Sequence, residues 1–146
     1  MFVSGIQPMK IDSKEALAKF IHDVDGLHDA LLHEAVLLHP GYVDDNFEMW
    51  GDCDLPDARL IFQSQFADII AVQVDLKRVS AFRFDPNKDL ELEGELRPGE
   101  VVLYPAGKSN AQVCEIRAAE VEYKFLGREF LGKEYKLVRQ FEEPAV

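Results

Sequence analysis

Apolar residues recur along this chain at two periods, and the change from one to the other organises it. Between Asp12 and Val24, Leu17, Phe20, Ile21 and Val24 fall at three- and four-residue steps, which predicts a helix with one buried face. Asp12 or Ser13 stands where an N-cap is needed, Glu15 lies in the first turn, and Gly26 supplies a stop. Further on the period is two. Leu60, Phe62 and Phe66 share a face of "LIFQSQF", and Ile70, Val72, Val74 and Leu76 share a face of "IIAVQVDL". "LELEGEL" sets Leu90, Leu92 and Leu96 against Glu91, Glu93 and Glu95, the pattern of a half-solvated strand. "VCEIRAAEVEYKF" alternates with a phase slip at Ala118-Ala119, where a β-bulge would keep Cys114, Ile116, Val121, Tyr123 and Phe125 all facing the core. "YKLVRQF" reads as a last strand.

"ALLHEAVLLH" fits either period. Its residues are good helix formers, yet the strands that follow favour a strand, ended by Pro40-Gly41. Apolar on both sides, such a strand is expected to be central and covered. Turn signals at Asp85-Pro86-Asn87, Arg97-Pro98-Gly99 and Pro105-Ala106-Gly107 separate the later strands, with no helix between them, so an antiparallel meander is expected. A short repeat, "FLGRE" then "FLGKE", suggests a hairpin or bulge at Gly127 or Gly132. The elements predict an α+β fold in one domain spanning 1–146. An N-terminal helix packs on a predominantly antiparallel sheet or partly open barrel of about six to eight strands.

Charge changes this picture more than composition does. The net charge is −11, and from Phe20 to Ala58 the chain has ten acids, all four histidines and no Lys or Arg. The other residues carry sixteen basic side chains against seventeen acids. Such a field repels phosphate backbones, which argues against nucleic acid and for a basic protein or a cation. No apolar run approaches the roughly 20 residues of a membrane span, and no signal peptide is visible, so a cytoplasmic protein is expected. Cys53 and Cys114 then read as reduced thiols, Cys114 as a small buried hydrophobe.

Candidate chemistry is sparse. His28, Asp29 and His33, with His22 and His39 nearby, suggest a metal site, but His-to-His steps of six, five and six residues share no helical face and miss the i, i+2 spacing of a strand. No metal or other cofactor is therefore expected. "DDNFEMWGDCDLPD" brings Asp52, Asp54 and Asp57 together, but Leu55 and Pro56 break a calcium loop. Trp50 is the single tryptophan; with Phe47 and Met49 alternating opposite it, it reads first as a core plug and second as a binding anchor among Asp44, Asp45, Glu48, Asp52 and Asp54. "PAGKSN" imitates a phosphate loop but has Val102 where glycine is required, so it reads as a hairpin turn. No Ser, Cys and His arrangement supports nucleophilic catalysis, and Cys53, lying among carboxylates, is a poor nucleophile.

"FIHDVDGLHDALLHEAVLLHPG", followed by "FEMWGD" and amphipathic strands, resembles small bacterial α+β proteins grouped as immunity proteins of polymorphic toxin systems and related uncharacterised domains, over roughly residues 20–85. The resemblance implies a non-enzymatic inhibitor whose acidic segment faces a basic toxin, for example a nuclease cleft. A small metal-dependent hydrolase built on His28, Asp29, His33 and acids of 44–57 is the alternative reading. A self-associating domain, two copies pairing through an edge strand, is the third.

Overall fold

The computed structural model describes residues 7–65, 71–85, 91–106 and 114–127. Of the two candidate caps it uses Ser13, whose Oγ accepts from the Ala16 N–H at 3.0 Å at the start of helix α1 (Lys14–Asp23). The cap satisfies one of the helix's otherwise orphaned amides. Leu17, Phe20 and Val24 are buried as the period predicts, with Ile21 packed at the edge of the core. The helix stops before Gly26: Val24 caps it, and Asp25, Gly26 and Leu27 all take positive φ. That left-handed turn tucks Leu27 into the core and points the chain into the sheet.

The strands are β1 (Met9–Lys10), β2 (Ala30–Leu38), β3 (Tyr42–Val43), β4 (Met49–Trp50), β5 (Asp57–Ser64), β6 (Ala71–Phe84), β7 (Leu92–Arg97), β8 (Glu100–Pro105) and β9 (Cys114–Leu126). Seven of them form one antiparallel sheet in the order β2-β5-β6-β9-β8-β7, with β1 also on β9; β3 and β4 pair separately. The fold is mostly β rather than balanced α+β, and the sheet is open rather than closed into a barrel.

Nor is it a single meander. Two three-stranded meanders, β2-β5-β6 and β7-β8-β9, meet at β6 and β9. These are the longest of the described strands, of 14 and 13 residues, and they pair from Ala71↔Leu126 to Phe84↔Cys114. The phase slip expected in β9 is present and is matched by its partner: Ala118 and Val121 are both buried, and so are Val79 and Leu76 opposite them. The irregular residue belongs to β6, where the register shifts between Val79 and Ala81 while Ala118 and Arg117 stay consecutive. Just before it Arg78 has φ 52°, its N–H donating to Asp57 Oδ1 at 3.0 Å, and the Val79 N–H donates to Pro56 O at 2.8 Å. Both strands therefore turn over together beside the start of β5.

The core lies between α1 and one face of this sheet. Phe20 packs against Tyr123 of β9 with ring centroids 4.6 Å apart and the rings tilted by 56°. Leu60, Phe62, Val72, Val74, Leu76, Leu92 and Ile116 complete it, and each such side chain contributes about 1.5–3 kcal/mol by leaving water. Gly94 lets the helix close on β7: a Cβ there would meet Leu103 Cδ2 at 2.9 Å, Val102 O at 3.0 Å and Leu17 Cδ1 at 3.1 Å. Phe66, Ile70, Leu90, the turn at Pro86-Asn87, the end of "PAGKSN", Gly132 and the strand "YKLVRQF" lie outside the described residues. Among the described residues no helix is long and apolar enough to cross a membrane.

Candidate functional site

The strand reading of "ALLHEAVLLH" holds, but among the described residues the strand stands at the end of the sheet and not, as expected, at its centre. β2 ends the sheet, paired on one side with β5 and with no described strand on the other. Direct partners in an antiparallel pair share a face. Leu31, Glu34, Val36 and Leu38 pair with Gln63, Ile61, Arg59 and Asp57, which places them on the face away from α1. Leu31, Val36 and Leu38 are exposed there, and Leu37 is exposed at the rim of the other face.

Between β2 and β5 the chain makes a small projecting hairpin, with Tyr42 opposite Trp50 and Val43 opposite Met49. Its turn is organised by Asp44. Asp44 Oδ1 accepts the Asn46 N–H at 2.8 Å and the Glu48 N–H at 3.0 Å, and Oδ2 accepts Trp50 Nε1–H at 2.8 Å. The indole bond, then the backbone donors, hold the Asp44 carboxyl below the usual carboxylate range. The Phe47 N–H donates to Asp44 O, and the Asp44 N–H to Glu48 O, which makes a type I turn closed by one left-handed residue. That residue is Phe47, with φ 65° and 90% of its surface exposed. Glycine is usual at such a position, because a Cβ there costs energy. At the neck, Gly41 and Gly51 pack so closely that a Cβ on Gly41 would fall 2.8 Å from Trp50 O.

Trp50, expected first in the core, is 50% exposed, and Phe47 and Met49 are exposed with it. The reason is local: a two-stranded ribbon has no second layer to bury its side chains. Asp44 sits among the expected contact residues, yet both its oxygens are engaged within the hairpin. Asp45, Glu48, Asp52 and Asp54 are exposed and take part in no ion pair among the described residues. Elsewhere several charges are paired: Glu120 with Lys10 and Arg78, Asp75 with Arg59, and Glu115 and Glu100 with Arg117.

The histidines do not gather. His28 Nε2 lies 3.4 Å from Asp29 Oδ2, His33 stands at the register shift in β2, and His39 Nδ1 accepts the Gly41 N–H. Among the described residues no three His, Cys, Asp or Glu side chains are placed to hold a metal ion.

Sequence reasoning missed the exposed apolar surface. Of eleven large apolar side chains exposed among the described residues, ten lie between Leu31 and Leu55 and one, Phe82, lies elsewhere. The available signal was "DDNF", which places a bulky residue where a turn asks for glycine. A shallow recess of about 190 Å³ lies among His39, Tyr42, Met49, Trp50 and Asp52. A larger groove of about 420 Å³ opens on the outer sheet face beside Val36 and Leu38. No family model matches the chain, nor does any curated protein or solved structure.

Proposed function

We propose that the protein is a non-enzymatic binding module that captures a basic protein through the surface carried by residues 30–55, an immunity-type inhibitor of a basic toxin being its concrete form. One observation carries this reading: among the described residues, ten of the eleven exposed large apolar side chains lie inside the segment that has ten acids and no Lys or Arg. Apolar anchors inside a field of one sign match the make-up of protein interfaces, where a few aromatic residues supply most of the affinity and charge speeds encounter. Contiguous exposed apolar surface on a folded domain marks a contact surface, and Tyr42, Met49 and Trp50 share one recess. Phe47 and Trp50 are the anchors; Asp45, Glu48, Asp52 and Asp54 steer the partner, while Asp44 holds the hairpin in shape.

The test is capture of the partner from the native host, its purification, and calorimetry of the pure complex. Trp50→Ala is expected to weaken a pure basic partner by about 2 kcal/mol, or some thirtyfold. A partner of neutral or acidic surface, or an affinity untouched by that substitution, overturns the proposal.

A further inference from the structure

Among the described residues no strand covers the outer edge of β2, which is regular from Glu34 to Leu38 beyond the register shift at His33. Natural edges are usually blunted by lysine, proline or very short length. β2 runs nine residues, contains no Lys or Pro, and has Glu34 as its single acid. Its outer side chains, Leu31, Val36 and Leu38, are exposed.

The groove beside this edge has a definite chemistry. Glu34 from β2, Asp57 from β5, Asp75 from β6 and Glu122 from β9 line it with Arg59 and Lys77. Arg59 is taken up by Asp75 at 2.8 Å, and Asp57 Oδ1 receives the Arg78 N–H. The groove thus holds four carboxylates against two cations, with Val36 and Leu38 as its apolar wall.

We infer that an extended, lysine- or arginine-bearing segment of the partner adds to the outer edge of β2, unpaired among the described residues, as a further strand and sends a cationic side chain into this groove. The inference rests on the binding function proposed above and specifies its geometry. An added strand lies about 4.8 Å from β2, and its residue opposite Glu34 projects to the same face as Glu34. A lysine there reaches Glu34 first and the groove beyond it. Main-chain bonds hold the segment, and alternate side chains select it. Charge decides against a second copy as occupant, because each copy would bring four groove carboxylates against only Arg59, already taken up by Asp75, and Lys77.

The probe is a capped ten-residue peptide of alternating lysine and valine, compared with the same peptide N-methylated at every second amide. N-methylation removes main-chain donors and leaves charge and apolar content in place. The plain peptide is expected to bind, to slow amide exchange across Ala30–Leu38, and to lose at least tenfold in affinity on N-methylation. Leu38→Lys, on a side chain 68% exposed, is expected to weaken it similarly without changing the melting temperature; Val36→Lys is the second variant should Leu38→Lys misfold. Equal binding of both peptides, with protection confined to 42–50, overturns the edge inference and leaves the binding function standing. No binding of either peptide overturns the edge inference too, and the pure native complex then judges the function separately. A doubling of native mass without peptide, abolished by Leu38→Lys, also overturns it by making a second copy the occupant.

Discussion

Replacing Phe47 by glycine separates folding from binding at one residue. The side chain is 90% exposed, so removing it gives up almost no buried surface. Its backbone, at φ 65°, sits where a Cβ costs about 1–2 kcal/mol. Glycine returns that cost but loses about 0.4–1 kcal/mol through its greater freedom in the unfolded chain. The balance favours the hairpin by about 0.5–1 kcal/mol, which slows local opening about two- to fivefold. Amide exchange at Asp44 and Phe47 reads this directly, because their N–H groups close the turn. The same substitution removes an anchor, so affinity for the pure partner should fall about thirtyfold. A hairpin that tightens while binding collapses is the signature of strain kept for contact. Faster exchange would mean that the ring packs against the protein in solution; unchanged affinity would mean that Phe47 touches no partner. Either result refutes the reasoning.

The remaining tests bear on the hairpin, the helix seat and the thiols. Because the folded-state pKa of Asp44 is depressed, its contribution to the hairpin is present above the ordinary carboxylate value near 3.9 and is lost as pH falls through the lower folded value. Fluorescence of Trp50, the one tryptophan, should hold constant from pH 7 to about 4 and change below that, and Asp44→Asn should shift it at pH 7. Gly94→Ala drives a methyl into Leu17 and Leu103 and should cost about 1–3 kcal/mol in urea unfolding, with no change in partner affinity once folded. Cys53 is exposed, whereas Cys114 is buried with its thiol pushed up to about 11 by desolvation, then by Glu115. A disulfide reagent at pH 8 should therefore titrate one thiol in the native protein and two in denaturant.

What the residues determined alone was local. A 3.6 period, Ser13 and Leu17, Phe20 and Val24 specify the helix and its buried face, because helix geometry couples residues three and four apart. Alternation at Leu60, Phe62, Val72, Val74 and Leu76 specifies strands and their inner side for the same kind of reason. The 39-residue stretch without a base is likewise plain in the chain itself. Tertiary structure alone decided which strands became neighbours. β6 pairs with β9 across the intervening β7 and β8, since their lengths match and their phase slips coincide at Val79 and Ala118. That choice filled the centre of the sheet and left β2 at its end. The apolar side chains of "ALLHEAVLLH" look like core by type, yet whether a strand is covered depends on what lies beside it. The same holds for Trp50: a two-residue ribbon cannot bury it, and no period in the chain says how many layers will stand over a residue.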